Sequence, residues 1–142
     1  MKRSEALAIL SRDHHHALVV AQKLNRADGE TADAARSRFL EYWDAEGRRH
    51  FQLEEELLLP AFAAHGDARH PLVLRVLGDH VAIRCKAARL ASSAEPDTEA
   101  LRELGVELAA HVRLEERELF PLIEDAMPAD ELLQLAQVLE RG

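Results

Sequence analysis

The sequence predicts an all-α protein, an antiparallel up-and-down four-helix bundle with a short C-terminal fifth helix. Three observations carry that expectation. Leucine and alanine dominate the apolar content, and 142 residues hold only 6 glycines and 5 prolines, a composition that favours helix over sheet. Four long stretches place apolar residues three and four apart, the period of one helix face. Short turn signals separate them, as antiparallel neighbours require.

The first helix is read over residues 4–26, with Ser4 as N-cap and Leu7, Leu10, Ala17, Ala21 and Leu24 on its inner stripe. His14 fills the one gap in that series. His15 and His16 are turned about 100° and 200° away, so His14 keeps the stripe unbroken and His15 is its rival. Asp28-Gly29 stops the helix. The second helix runs from Thr31 or Asp33 to just beyond Pro60, with Phe39, Trp43, His50, Leu57 and Ala61 inward. Gly47 sits inside it at a cost of about 1 kcal/mol, a cost that close approach of a neighbouring helix would explain. Pro60 lacks an N–H and predicts a kink or break that leaves His50 and Glu54 on regular helix.

His65-Gly66-Asp67 and His70-Pro71 mark a loop with solvated histidines. The third helix, about 71–92, carries Val73, Val76, Ile83, Ala87 and Leu90, and His80 fills the missing step. The fourth, about 98–120, is capped by Asp97 or Thr98 and turns Leu101, Leu104, Leu108, His111, Glu115 and Leu122 inward. After Met127-Pro128 a fifth helix, about 129–140, uses Leu132, Leu135, Ala136 and Leu139 to cover one end or side.

Composition narrows the function. A net charge of -8, with no basic cluster longer than Arg48-Arg49, argues against a nucleic-acid partner. The lone Cys85 excludes an internal disulfide and fits a reducing compartment. No signal-peptide pattern and no apolar run long enough for a membrane span is present. A single domain over 1–142, cytoplasmic and without a membrane partner, is expected; nothing fixes its oligomeric state.

The chemistry lies in a repeat. HFQLEEELLLP, His50 to Pro60, returns sixty-one residues later as HVRLEERELFP, His111 to Pro121. Each copy sets a histidine four residues before a glutamate, on one helix face with Cβ atoms about 5–6 Å apart. His14 and His80, each preceded by aspartate, add a lone imidazole from the helix before. Four imidazoles and two carboxylates at one level are costly to bury unless neutralised. Two divalent cations do so if His14 pairs with His50, His80 pairs with His111, and Glu54 and Glu115 both bridge. A shared hydroxide or oxide adds one more donor and leaves about one octahedral position per metal for a small molecule. Nitrogen and oxygen donors without thiolate favour iron, with manganese and zinc as alternatives, and argue against a closed structural zinc site.

The outlying residues have their own assignments. Glu46 and Glu107, four residues before a ligand histidine, are candidates to hold its other ring N–H. Glu55, Glu56, Glu116 and Glu118 read as a charged outer face, although an acidic residue one turn from a metal can also hold a ligand in place. Tyr42 reads as a candidate gate. Cys85 lies about 140° round the helix from His80 and is not a ligand.

The order His, His-x-x-x-Glu, His, His-x-x-x-Glu on successive helices, with the Asp-His pairs and the repeated Leu-Glu-Glu, resembles the hemerythrin-like family, the HHE cation-binding domain, over about residues 5 to 140. The resemblance implies an up-and-down bundle around an oxo- or hydroxo-bridged di-iron centre. Carried over position by position, it implies that His14, His50, Glu54, His80, His111 and Glu115 bind metal. The chain departs from oxygen-carrying hemerythrins, which have His-x-x-x-His on the third helix and His-x-x-x-x-Asp on the fourth. Here Arg84 follows His80 by four residues, and Glu115 stands four after His111. The chain is thus closer to the bacterial-type HHE group, and oxidation or sensing is expected over reversible oxygen storage. Two functions follow: a di-iron protein that reacts with or senses oxygen, peroxide or nitric oxide, or an iron or cation holder for storage, transfer or protection without turnover.

Overall fold

In the computed structural model, which describes residues 3–142, three of the five helices start where a side chain accepts from their first N–H donors. Helix α1, Glu5–Asn25, opens at Ser4, whose Oγ accepts from Leu7 N–H at 3.4 Å. Helix α2 runs over 32–63 and is preceded by Asp28, whose carboxylate accepts from the N–H groups of Glu30 and Thr31 at 2.9 and 3.0 Å. Helix α3, Pro71–Ser92, has proline at its first position, and Leu72 N–H donates to His70 Nδ1 at 3.0 Å. His70 is therefore a cap, not the solvated loop residue expected. Helix α4 runs over 98–126 behind Asp97, which accepts from Glu99 and Ala100 at 3.0 and 3.3 Å. Helix α5, Ala129–Arg141, completes the fold. Among the described residues there is no strand, and no helix is long and apolar enough to cross a membrane.

Of the kink or break expected at Pro60, the break does not occur, and α4 continues six residues past the limit read from the sequence. Both prolines follow a π-turn. Over Glu54–Leu58 and Glu115–Leu119 the ladder widens, so that Leu59 N–H bonds to Glu54 O and Phe120 N–H to Glu115 O, five residues back. The missing proline N–H thus falls where the α ladder is already interrupted, and the helix passes through. Glu54 and Glu115 open these turns instead of lying within regular helix. Their own N–H groups still bond back to His50 and His111, so the His-x-x-x-Glu turn itself remains α.

One extra residue in a turn rotates everything beyond it by about 100°. The stripe expected at Leu57, Ala61 and Leu122, all half-buried, moves one residue on, to Leu58, Phe62 and Ile123, which are fully buried. Helical periodicity read across the repeat misses this shift in both copies.

The apolar interior is divided in two. One cluster gathers Ala17 to Leu24 of α1, Phe39 to Phe51 of α2, Ile83 to Leu90 of α3 and Leu101 to Val112 of α4. The other gathers Leu7 and Leu10, then Leu58 and Phe62, then Val73 and Val76, then Leu119 and Ile123, together with the inner face of α5. Successive helices pass through the two clusters in opposite order. At or beside each switch stands a histidine or glutamate of the six.

Gly47, expected to admit a neighbouring helix, does not do so. A Cβ there would meet rings of its own helix, Trp43 Cε3 at 2.8 Å and Tyr42 Cε2 at 2.9 Å. The close helix approach is at Gly105, where a Cβ would lie 2.7 Å from both Ala21 O and Asn25 N of α1. Backbone atoms cannot swing aside, so Gly105→Val should lower the unfolding free energy by about 1–3 kcal/mol, the usual cost of overpacking. Gly78, exposed on α3 with nothing within 4 Å of its Cβ position, supplies the contrast. Gly78→Ala should stabilise by about 0.5–1 kcal/mol. Urea melts of both variants check the pair, and equal midpoints would contradict the α1–α4 contact.

Candidate metal centre

The six residues singled out by spacing meet in the layer between the two apolar clusters. His14, His50, Glu54, His80, His111 and Glu115 are each at most 4 % exposed. His15, the rival of His14, is exposed, because the stripe of α1 turns it away. The donors form two groups whose atoms lie within 4.8 Å of one another: His14, His50, Glu54 and Glu115, and His80, His111, Glu54 and Glu115. Both carboxylates belong to both groups.

Each carboxylate turns one oxygen to each pair of rings. Glu115 Oε1 lies 2.8 Å from His14 Nε2 and 3.7 Å from His50 Nε2, while Oε2 lies 3.2 Å from His111 Nε2 and 3.8 Å from His80 Nε2. Glu54 Oε2 lies 3.3 Å from His50 Nε2, and Oε1 lies 3.1 Å from His80 Nε2. The ring centroids are 4.9 Å apart within each histidine pair. Every ring therefore points Nε2 inward.

The Nδ1 atoms face outward to a second set of carboxylates. His50 donates to Asp13 and His111 to Asp79, both at 3.0 Å; His14 donates to Glu116 at 3.2 Å and His80 to Glu55 at 2.6 Å. These partners fix ring orientation and leave Nε2 free to ligate. Each comes from a neighbouring helix, beside one of the six inner residues but serving another helix's ring. Asp13 precedes His14 yet holds His50, and Glu55 follows Glu54 yet holds His80. Glu46 and Glu107, the expected holders, bond instead to His16 and Lys86. The Asp-His pairs and the second glutamate of Leu-Glu-Glu were the sequence signals for the true partners.

Two of these carboxylates are themselves braced. Arg84 Nη2 donates to Glu55 Oε1 and Oε2 at 3.1 and 2.9 Å. Glu116 accepts from Ser11 Oγ–H at 3.0 Å and from Arg3 at 3.4 Å. Flat rings close the sides: Phe51 stacks on His80 at 3.8 Å and 6°, and Phe120 on His14 at 5.4 Å and 13°. Of the remaining histidines, His65 pairs with Glu131. Cys85 is exposed and takes no part.

Among the donors themselves, the electrostatics are those of trapped ion pairs. Burial alone would depress each imidazole, but Glu115 and Glu54 outweigh it and hold His80 up at about 9. His111, beside Glu115 and Asp79, is held at about 10, and His50 and His14 are raised for the same reason. Burial would raise Glu115, yet His111, His14 and His50 hold its carboxyl well below the usual range.

Distance without direction leaves much of this unsatisfied. Every buried side-chain atom among the described residues that lacks a hydrogen-bond partner belongs to this site: Nε2 of His50, His80 and His111, both oxygens of Glu54, and Glu115 Oε2. At about 1–3 kcal/mol each, the set approaches the whole stability of an ordinary domain, about 5–15 kcal/mol. Cations that take these lone pairs remove that cost, and the donors are those that divalent transition metals accept. The clusters are thus compatible with a metal site.

No curated protein and no solved structure matches the chain. Residues 5–137 match the family model described as Hemerythrin HHE cation binding domain, nearly the whole of the 142-residue sequence, and the chain belongs to that family.

Proposed function

We propose that the chain is a single four-helix domain holding two irons, with His14 and His50 on one, His80 and His111 on the other, and Glu54 and Glu115 bridging both. The observation that carries this reading is the pair of donor groups sharing both buried carboxylates. Support for the antiparallel bundle comes from the opposite order in which successive helices traverse the two apolar clusters. Iron held by these six residues would supply redox chemistry toward oxygen, peroxide or nitric oxide. The chain's part is to aim four Nε2 atoms inward, hold each ring by Nδ1, and exclude bulk water. Ligand side chains at most 5 % exposed admit only a small molecule to the centre.

Metal analysis of protein from iron-replete cells, with Mössbauer spectroscopy, tests this. Two coupled irons per chain are expected; one iron, or an iron-free closed zinc site, refutes it. The same burial also suits a holder without turnover. Hydrogen peroxide added to the iron-loaded protein separates the two, since sustained oxygen release marks reactivity and a static spectrum marks storage.

Arg84 gives a finer test. It occupies the place where oxygen carriers have a further histidine and instead steadies Glu55 against His80. Loss of such an outer partner typically costs about 10–100-fold in metal affinity. Arg84→Met should approach the lower figure in the rate of iron loss to a chelator, with partial rescue in Arg84→Lys. Equal rates in all three proteins would remove the brace from the account.

A further inference from the structure

The two halves of the site are alike at the six ligands and unlike at one flank. On the first half, a third π-turn, Trp43–Gly47, precedes His50, and no such turn precedes His111. Gly47 closes it and leaves room for the Trp43 ring. The indole meets Phe51 edge-on at 5.3 Å and 80°, and Phe51 lies flat on His80 at 3.8 Å. Sixty-one residues on, the counterparts of Trp43, Gly47 and Phe51 are Leu104, Leu108 and Val112, all buried. Aliphatic side chains therefore suffice to fill the corresponding volume, and packing alone does not call for the aromatic series. Its outer end also reaches the surface. Trp43, 5 % exposed, lines a cavity of about 270 Å³ with Leu40, Arg48, Arg84 and Ala88.

We propose that Trp43 is a one-electron relay between this cavity and the metal centre, through the stacked rings of Phe51 and His80. The inference rests on the di-iron reading. Once hydrogen peroxide has oxidised the centre beyond its resting state, one electron leaves the indole and reduces it by one equivalent. The indole then gives its N–H proton to water in the cavity and stands as a neutral radical. A reductant of the enediol class, entering the cavity, returns one electron and one proton and restores the N–H. Phe51 acts as a bridge, because a benzene ring is far harder to oxidise than an indole and holds no charge along the way. The reacting centre is thereby served by a reductant too large to enter its closed layer.

Trp43 is the only tryptophan in the sequence, so any indole signal reports it alone. Iron-loaded and metal-free protein would be treated with excess hydrogen peroxide, with and without ascorbate, and read by freeze-quench EPR and by mass spectrometry of the Trp43 peptide. The iron-loaded protein should show an indolyl radical and oxygenated Trp43, both suppressed by ascorbate, and the metal-free protein neither. Trp43→Phe keeps a flat ring in place. It should retain its iron content and melting temperature while ascorbate re-reduces its oxidised centre about tenfold more slowly, a barrier change of about 1.4 kcal/mol. Equal Trp43 oxidation with and without iron would overturn the relay, as would re-reduction of Trp43→Phe at the wild-type rate. A chain that took up no iron would overturn the di-iron reading and the relay together, and metal analysis reports that outcome separately.

Discussion

Glu115→Ala should empty both proposed metal positions at once, whereas His14→Ala should empty one. The contrast follows from membership: Glu115 stands in both donor groups and His14 in only one. Removing the carboxylate also leaves His14 and His111 without the partner that supports their charge, and breaking a buried pair costs about 3–5 kcal/mol. A bound ion stabilises only the folded state, by about 2.7 kcal/mol at a hundredfold excess over its dissociation constant. In Glu115→Ala both contributions disappear, so its melting temperature should fall well below wild type and cease to respond to added ferrous iron. Glu54→Ala should behave alike, since Glu54 faces both pairs of rings. Metal content by mass spectrometry, followed by melts with and without iron, reads both effects. If Glu115→Ala kept one firmly bound ion, the bridging assignment would be wrong.

The second large effect is a loss of stability with rising pH in the empty protein that metal loading removes. The folded-state values of His80 and His111, about 9 and about 10, lie above the ordinary 6.5. Between these limits the folded chain holds protons that the unfolded chain has released, so stability of the metal-free protein falls as pH rises. The slope is about 1.4 kcal/mol per pH unit for each such proton. On the acid side Glu115, depressed well below 4.5, keeps its contribution above that value and loses it only as pH falls through its lowered one. A metal needs bare Nε2 lone pairs, so its binding expels the histidine protons and strengthens with pH over the window in which the empty protein weakens. Melts at pH about 6.5, 8 and 9.5 should show the gap between loaded and empty protein widening. A metal-free protein that grew more stable from 6.5 to 9 would contradict the ion-pair account.

The six inner residues were legible because a helix repeats its face every three to four residues, and one interruption of an apolar stripe by the same residue type in each helix is hard to miss. The π-turns were not. Nothing in Leu-Glu-Glu followed by proline distinguishes a helix that breaks from one that widens, and both copies widen. The outer carboxylates were sought four residues back on the same helix, at Glu46 and Glu107. They lie across the gap to the next helix, at Asp13, Glu55, Asp79 and Glu116. Periodicity states which residues share a face; it does not state which neighbour that face meets. Trp43, read as plain core, is buried as expected, but its contact with Phe51 depends on a turn that no periodicity reveals.

Segregation of the apolar interior into two masses gives the molecule a seam across its waist. Each end coheres by its own oily contacts, while the girdle between them coheres through charge. Withdrawing the proposed ions should therefore loosen the middle before either end, with hydrogen–deuterium exchange quickening first at the amides just after Glu54 and Glu115.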